Sequence, residues 1–472
     1  MAKKRFALVV GLSCIAVMAF IRSACAEQRV VDQLLDILRQ NKQITEQQYQ
    51  DLKRRADEER QQDLRKAGAP AQVPVVAAPA APAPPPAPPA ADTMRAYFKN
   101  GFNFETADGN FKLNIGGRAQ IDWSISDPGG AVKRQFALHG TDTGVEFRRA
   151  RLSIAGLVYN NIDFKFEYDF ADGTPAFKDV YMGMNKLPLV QYLRVGHFKE
   201  PFSLEEITSD DFTTFQERAT MNAFAPSRNT GFAVMPAFFD QRMTVQAGAF
   251  RETDNSGKGF GSDQQYNVTA RLTGLPWYEA GQHLLHLGLS YTHKFQSNQD
   301  ITFSQRPESH LFPVALVNSQ KIKTDGVDAI NPEVALAVGP ISVQGEYTEA
   351  FVAQVNQPDP KFGSFYVEGS YFLTGESRAG FYRTQFGYFD RVIPIDNFSI
   401  DSKHWGAWQL VARFSRIDLG SENVKGGTLD DVTGGVNWYL NPNTKIVVNY
   451  VWAHLESVGD SNIAEGRFQL TF

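Results

Sequence analysis

Basic side chains occupy alternate positions in several segments of mixed polarity. In the segment 111–123, FKLNIGGRAQIDW, the apolar residues share one parity and Arg118 shares the other with polar neighbours. Because successive side chains of a strand point to opposite faces, Arg118 would lie on a polar face. Guanidinium groups gathered there can attract small anions, or each can be neutralised by a nearby Asp or Glu. The same test places Arg149, Arg151, Arg271 and Arg413 on polar faces.

The sequence RRARL at 148–152 carries three of these cations. Leu152 and Ile154 have the apolar parity of their segment, so Arg149 and Arg151 fall on the polar face. Arg148 has the apolar parity. It lies near the loop end of the segment, where its long side chain can reach an interface.

The polar stretch 199–230 carries both signs of charge. Its basic residues are Lys199, Arg218 and Arg228. In a pore, rings of Arg or Lys favour anions, whereas rings of Asp or Glu favour cations. The acids outnumber the bases here, so this stretch alone predicts a mixed or weak ion preference. The acidic residues are Glu200, Glu205, Glu206, Asp210, Asp211 and Glu217.

Alternation of apolar and polar residues continues from about residue 98 to the end of the chain, for example IDFKFEYDF at 162–170 and RFQLTF at 467–472. A soluble sandwich would bury the apolar face in its core. A membrane barrel turns that face to lipid and keeps the polar face for a water-filled lumen. Short turns alternate with long polar loops, and aromatic residues cluster near strand ends. These features favour the barrel.

Sixteen strands are predicted, an even number that closes an antiparallel barrel with both ends on one side. The connection 375–404 then lies on the short-turn side. The alternative, a strand at 380–389, would break the even count. The predicted strands are 111–124, 144–158, 162–170, 177–186, 191–198, 230–236, 241–251, 265–275, 283–294, 331–339, 341–350, 362–374, 405–416, 431–440, 444–455 and 464–472.

Composition argues against several other classes of protein. The 472 residues include 36 Phe and 16 Tyr, but no internal run approaches the roughly 20 apolar residues of a spanning helix. The formal net charge of −5 disfavours nucleic acid as a partner. No G-x-S-x-G or H-E-x-x-H motif occurs, and the eight His lack metal-site spacing. We therefore predict no enzyme, no cofactor and no metal site.

Three segments precede the predicted barrel, which spans residues 98–472. Residues 1–26 have the basic start, apolar run and small-residue cleavage site of a secretory signal peptide. Its removal would take away both cysteines and change the net charge from −5 to −9, because it contains four bases and no acids. Residues 27–67 predict a periplasmic helical or coiled-coil segment, with a solvated hairpin or disordered tail as alternatives. Residues 68–97 predict an extended Pro/Ala-rich linker.

Several short motifs follow one another in a characteristic order. They are RRARL at 148–152, GHFKEPF at 196–202, LTGE at 373–376, WGAW at 405–408, RFSR at 413–416, the run 434–450 and the final Phe472. Together they resemble the phosphate-selective porin family of the O and P type. The resemblance covers about 112–472, and the N-terminal helices and linker are similar to those of members with such extensions.

The resemblance implies a trimeric sixteen-stranded barrel whose third loop folds inward as a constriction. It also implies lumenal arginines that guide anions to a basic central site, for which Arg118 and the Arg148–Arg149 pair are the best matches. We therefore predict an outer-membrane porin for passive diffusion of small solutes, with anions such as phosphate preferred. The alternatives are a general, weakly selective porin and a structural protein whose N-terminal helices contact the cell wall.

The predicted location is the outer membrane of a Gram-negative bacterium, with the N-terminal segment in the periplasm. The expected partners are outer-membrane lipid, small anionic solutes and further copies of the chain in a homotrimer.

Overall fold

The computed structural model describes residues 49–50, 53–54, 94–260 and 265–472. The chain divides into two units, Met1–Ala87 and Pro88–Phe472. The four described residues of the first unit are helical. The predicted signal peptide, the rest of the coiled-coil segment and most of the linker lie outside the described residues. Within the described ranges, no helix has the length and apolar character needed to cross a membrane.

The second unit contains a closed antiparallel barrel of sixteen strands, which confirms the predicted fold. Each strand pairs with its neighbours in sequence, and the last pairs with the first from Ser461↔Pro128 to Thr471↔Arg118. Closure pairs the backbone polar groups of both terminal strands, as a lipid environment requires. The strands are β1 (Phe111–Pro128), β2 (Asp142–Val158), β3 (Ile162–Asp169), β4 (Ala176–Leu187), β5 (Gln191–Lys199), β6 (Arg228–Val234), β7 (Met243–Arg251), β8 (Tyr266–Glu279), β9 (His283–Ile301), β10 (Ile322–Val338), β11 (Ile341–Gln354), β12 (Lys361–Phe372), β13 (Ala407–Ser421), β14 (Val424–Asn441), β15 (Thr444–Leu455) and β16 (Gly459–Thr471).

The alternating pattern sorts side chains to the two faces as predicted. On β1, Ile121, Trp123 and Ile125 point outward and are 37%, 43% and 47% exposed. Gln120 and Asp122 point inward and are buried. The outer face of this strand is therefore apolar and its inner face polar, as a membrane barrel requires.

The connections differ in length between the two rims. The rim that holds both ends of the barrel has short turns, such as 159–161, 188–190 and 339–340. The opposite rim carries the long connections 200–227 and 302–321, named L3 and L5 here as its third and fifth connections. The segment 373–406, named the return segment, joins β12 to β13 on the short-turn rim. Since no barrel strand forms at 380–389, the even count stands.

Among its described residues, the unit also contains two short helices and some local features. Helix α1 (Gly130–Phe136) lies between β1 and β2, and α2 (Leu204–Ile207) lies in L3. Two short 3₁₀ segments, Thr220–Phe224 and Arg378–Phe381, lie in L3 and the return segment. Two-residue strands lie at Ala237–Phe238, Ser304–Gln305, Val317–Asn318, Tyr382–Arg383 and Tyr388–Phe389.

Strands β9 and β10 are longer than predicted. They continue to Ile301 and begin at Ile322, whereas the predicted limits were 294 and 331. The two strands remain paired beyond Phe295, after a register shift, down to Ile301↔Ile322. The predicted long loop 294–331 is therefore shortened to L5.

A hairpin that the sequence analysis did not predict precedes β1. It consists of Met94–Phe98 and Phe102–Thr106, and its second strand pairs with β1. The turn contains Asn100 and Gly101, whose φ angles are 53° and 119°. A Cβ at Gly101 would lie 2.7 Å from the carbonyl oxygen of Ile115. Glycine is needed there both for its backbone angle and for the close approach of β1.

Aromatic rings gather at the short-turn rim, as the sequence indicated. The indoles of Trp408 and Trp438 stack with centroids 4.9 Å apart. Their Nε1–H groups donate to the carbonyl oxygen of Trp405 at 3.1 and 2.7 Å. Indoles with one polar contact and one apolar face suit the interface between lipid and water.

Candidate functional site

L3 folds into the lumen and crosses to the far wall. The side-chain amide of Asn437 on β14 donates to the carbonyl oxygen of Thr214 at 2.7 Å. Arg467 on β16 donates through Nη1 to the carbonyl oxygen of Gln216 at 2.6 Å. These contacts place L3 across the interior, where the resemblance implied a constriction.

Helix α2 of L3 is anchored at its N-terminus by a carboxylate of the wall. Both oxygens of Glu346 on β11 accept hydrogen bonds, from the backbone N–H groups of Leu204 at 3.0 Å and of Glu205 at 2.8 Å. The Ser203 hydroxyl accepts from the N–H of Glu206 at 3.2 Å. A helix start buried in the lumen needs such partners because its first N–H groups have none within the helix.

Two predicted site residues hold the other end of α2. Arg218 donates to the carbonyl oxygens of Glu205 at 3.1 Å and of Thr208 at 3.0 Å. Lys199 donates to the carbonyl oxygens of Glu206 and Thr208. Both cations also lie within 3.4 Å of the Glu206 carboxylate. Their first role is therefore to position L3.

Three further predicted arginines converge on one carboxylate of L3. Arg118 and Arg149 contact the two oxygens of Asp210, and Arg151 lies 3.2 Å from Oδ2. Burial alone would raise the pKa of Asp210, but the three guanidinium groups hold it well below its usual value. The lumenal face predicted for these arginines is correct.

The parity predicted for Arg148 is wrong. Gln120 pairs with Arg149 whereas Ile121 pairs with Phe147, so Arg148 is the extra residue of a β-bulge. The bulge reverses the alternation, and Arg148 reaches into the lumen to pair with Glu217 of L3, with Nε–Oε1 at 2.9 Å.

Glu217 is shared with an arginine that the sequence analysis missed. Arg467 lies 2.8 Å from Glu217 and also makes two 2.7 Å hydrogen bonds to Asp122. Burial would raise the pKa of Glu217, but Arg148 and Arg467 hold it well below its usual value. The alternation of 467–472 indicates a lumenal Arg467, so a parity test of the last strand would have found this residue.

Arg413 ties L3 and L5 to the wall. Its guanidinium pairs with Glu205 of L3 at 3.1 Å and with Glu308 of L5 at 2.6 Å. Its carbon Cζ lies 4.3 Å from the centre of the Phe215 ring. Since the Arg413 side chain is 1% exposed, it is a structural link between the two loops.

The remaining two predicted cations also pair with carboxylates. Arg271 makes a two-point contact with Glu333 at 2.7 and 3.1 Å, and Arg228 pairs with Asp179 at 2.8 Å. Each of the nine predicted cations thus has a carboxylate oxygen within 3.4 Å. Every cation of the predicted set is therefore neutralised by a carboxylate, which is the second of the two possibilities raised by the sequence.

Two chambers lie at the arginine cluster. The outer chamber, of about 440 Å³, is bounded by L3 and L5. The inner chamber, of about 330 Å³, is bounded by L3, the return segment and the short-turn rim. Arg149 lines the outer chamber and Arg118 lines the inner one.

Basic side chains exceed acidic ones by two in the lining of each chamber. The outer chamber is lined by the bases Arg148, Arg149, Arg218 and Arg306 and by the acids Glu217 and Glu308. The inner chamber is lined by the bases Arg118, Lys165, Arg194, Lys199, Arg228 and Arg391 and by the acids Glu167, Asp179, Asp211 and Asp390.

Two arginines of the inner chamber were missed by the sequence analysis. Within the described part of the chain, neither Arg194 nor Arg391 has a carboxylate partner. Arg194 lies 4.1 Å from the Tyr181 ring centre and donates to the Tyr192 hydroxyl at 3.2 Å. Arg391 donates to the carbonyl oxygen of Pro442 at 2.6 Å. These groups leave part of the chamber's positive charge uncompensated.

Among the described residues, no group of three or more His, Cys, Asp or Glu side chains is placed to hold a metal ion. The chemistry available in the lumen is instead electrostatic, with guanidinium and ammonium groups facing water-accessible chambers.

A closed barrel with an apolar outer face, a polar lumen and an inward third loop defines an outer-membrane porin. The family model described as phosphate-selective porin O and P matches residues 113–472. The chain belongs to this family and is an outer-membrane channel of Gram-negative bacteria.

Relatives match across most of the chain. Porin O of Pseudomonas aeruginosa is 27% identical over 402 residues, which cover 77% of this chain and 88% of the relative. An uncharacterised protein of Caulobacter vibrioides is 26% identical over 396 residues, covering 79% and 76%.

Solved porin structures match at low identity. An anion-selective porin from Comamonas acidovorans gives a TM-score of 0.47 at 10% identity, covering 77% of this chain and all of that one. The DcaP channel of Acinetobacter baumannii gives 0.48 at 11% identity, covering 78% and 99%.

Proposed function

We propose that this porin passes small anions, phosphate among them, in preference to cations. The observation that carries the proposal is the surplus of basic side chains in the lining of both chambers, in a chain whose net charge is −5. Charge placed in a cleft with low-dielectric walls is focused on the solute path, so local lining outweighs the overall sum. The family description, phosphate-selective porin O and P, agrees with this preference.

A general, weakly selective porin is the competing function. It is favoured by the close pairing of the nine predicted cations with carboxylates, because paired charges present a small net field to a solute. We expect Arg194 and Arg391 to separate the two functions. For anion preference their positive charge should dominate the electrostatic field in the inner chamber, and for weak selectivity it should not.

Reversal potentials of the purified porin in a planar bilayer under a KCl gradient distinguish these functions. We expect chloride to be preferred, and Arg194→Gln combined with Arg391→Gln to move the reversal potential toward potassium. Among the described residues, neither arginine forms an ion pair, so the double variant leaves no described carboxylate without its partner. Lys425→Glu, an exposed position at the start of β14, is the matched control.

A wild-type reversal potential of zero, or one on the potassium side, would overturn anion preference. A double variant identical to the wild type would show that Arg194 and Arg391 do not set the preference. Arg118→Glu with Arg149→Glu should produce a larger shift in the same direction. Absence of any ion current from the folded protein would contradict the channel itself.

We further propose that the porin is a homotrimer whose contact surface includes β3 to β7. Four of these five strands are short: β3 has 8 residues, β5 has 9, β6 has 7 and β7 has 9, at or below the roughly 9–11 residues that span a bilayer. The fifth strand, β4, has 12 residues. By contrast, β9 has 19 residues. A wall this short is better covered by protein than by lipid. Mass measurement in detergent tests the trimer, and a monomeric mass would contradict it.

For the N-terminal segment, we propose that residues 1–26 are removed and that residues 27–67 extend into the periplasm as a helical segment. The targeting pattern of residues 1–26 and the helical apolar spacing of 27–67 support this. Mass spectrometry of the mature chain tests the cleavage site. A pull-down of cell-wall fragments, with a chain lacking 27–67 as control, tests contact with the cell wall.

A further inference from the structure

The wall of β1 and β2 places like charges beside one another. Arg118 and Arg151 are direct cross-strand partners, and Arg149 lies two residues along the same face. Like charges at directly opposed positions repel, so this wall is stable only with anions close to it. The three guanidinium groups therefore form a site for an oxyanion.

Asp210 occupies that site. One of its oxygens contacts Arg118, and the other contacts Arg149 and Arg151. The neighbouring Asp211 reaches Arg118 alone, at 3.1 Å. Within the described residues, Asp210 is the one carboxylate that contacts all three arginines.

Asp210 differs from the wall carboxylates of the cluster in the element that carries it, which is a loop and not a barrel strand. Glu167 and Asp169 contact Arg151 at 3.4 and 2.6 Å from β3, so they belong to the barrel wall. Asp210 lies on L3, whose backbone accepts hydrogen bonds from the wall here, from Gln120 at the Asp210 carbonyl at 3.4 Å and from Gln469 at the Asp211 carbonyl at 3.0 Å. A loop carboxylate can be displaced without breaking strand pairing.

The position of Asp210 also matters for a moving solute. Arg118 lines the inner chamber and Arg149 lines the outer one, whereas Asp210 bridges the two arginines and lines neither. An anion that passes along the arginine cluster from one chamber to the other meets the guanidinium groups that Asp210 occupies.

We propose that Asp210 is a tethered occupant of the oxyanion site formed by Arg118, Arg149 and Arg151, and that it limits how tightly the pore binds a passing anion. The proposal rests on the proposed anion preference. Carboxylate and phosphate oxygens use the same guanidinium N–H donors, so a solute must compete with Asp210 for them. A pore must bind its ion weakly enough to release it, and an internal competitor lowers the apparent affinity.

The test compares Asp210→Asn with the matched variant Asp211→Asn in the full-length porin. Inorganic phosphate is titrated against the chloride current in a planar bilayer. We expect the phosphate concentration for half-inhibition to fall at least ~10-fold in Asp210→Asn, because a unit charge within about 4 Å is worth more than one decade in affinity at intermediate dielectric. Asp211→Asn should lower it less, because Asp211 contacts Arg118 alone whereas Asp210 contacts all three arginines, and Asp210→Glu should resemble the wild type.

A second measurement tests the proposal even if Asp210→Asn folds poorly. Asp210→Asn should refold in higher yield, or melt at higher temperature, when inorganic phosphate is added. The wild type should show a smaller gain, since its site is already filled.

Equal changes in Asp210→Asn and Asp211→Asn would overturn the proposal, because they would reflect local charge and not occupancy. An anion-selective wild type with an unaltered Asp210→Asn variant would also overturn it while leaving the proposed function intact. A cation-selective wild type would remove the proposed function and this inference together.

Discussion

L3 and the return segment both enter the barrel, from opposite rims, but they are held by different forces. L3 uses its own carboxylates, and Asp210 and Glu217 bind wall arginines. The return segment offers backbone carbonyls, and Phe386 and Gly387 accept from Arg271 at 3.2 and 2.8 Å.

Acidic side chains of the return segment bind within that segment. Asp390 pairs with Arg383, and Asp396 lies 3.6 Å from His404. The Tyr382 hydroxyl shares a 2.6 Å hydrogen bond with Nδ1 of His286 on β9. Arg378 departs from this pattern, because it lies 3.5 Å from Glu368 on β12. The contrast teaches that L3 depends mainly on ion pairs with the wall, whereas the return segment depends mainly on packing and on hydrogen bonds to its backbone carbonyls.

The largest expected effect is that of Arg413→Ala. It leaves the buried carboxylates Glu205 and Glu308 without their shared cation, and breaking a buried pair costs about 3–5 kcal/mol. We expect a lower free energy of unfolding in detergent and rapid proteolysis of L3 and L5, with the return segment protected. Arg416→Ala, which removes a half-exposed pair with Asp430, is the control and should cost about 0–1 kcal/mol. Cleavage of the return segment at the same rate as L3 and L5 would contradict the proposed difference in how the two segments are held.

Lowering the pH should loosen L3 before it loosens the return segment. The pKa of Asp210 and of Glu217 is lower in the folded protein than in the unfolded chain. These carboxylates therefore stabilise the fold above their ordinary pKa, and the contribution is lost as pH falls through the lowered value.

We expect L3 to remain fixed from pH 7 to about pH 5 and to loosen below about pH 4. Pepsin at about pH 3 should therefore cleave L3 before the return segment, and single-channel conductance should be constant between pH 7 and 5. Simultaneous cleavage of both segments would show that ion pairs do not distinguish them.

The smallest effect is expected for Tyr382→Phe. The change removes the hydroxyl that binds His286 and keeps the ring, which lies 5.2 Å from the Phe389 ring centre. We expect a loss of about 1 kcal/mol, the usual net value of one hydrogen bond. Hydrogen exchange should quicken in the return segment and stay unchanged in L3. Faster exchange in L3 would mean that the two segments are coupled.

Much of the wall could be predicted from the sequence because the side-chain period of a strand is local. Alternation alone placed Arg118, Arg149 and Arg151 in the lumen, and the even count placed the return segment on the short-turn rim. The mostly polar stretch 323–328, which includes Gly326 and lies within the first half of β10, concealed the start of that strand. The pairing of this part of β10 with β9 cannot be read from the residues of β10 alone.

The partners of the arginines could not be predicted in this way. Asp210 follows Arg118 by 92 residues, and its position depends on how L3 crosses the lumen. The bulge at Arg148 changes parity without a distinctive residue to signal it. Parity also places Arg194 on the lumenal face, since the adjacent Val195 points outward. What the sequence could not show is its set of aromatic neighbours, such as Phe386 of the return segment, which come together only in the folded chain.

The dependence of Arg149 on Asp210 also bears on the order of folding. Arg151 gains Asp169 as soon as β3 pairs with β2, because those two residues are cross-strand partners. Among the described residues, Arg149 has Asp210 as its one carboxylate partner, and that residue is delivered only when L3 enters the lumen. The first hairpin of the barrel therefore lacks a carboxylate for Arg149 until L3 enters the lumen, so entry of the loop completes the wall that it constricts.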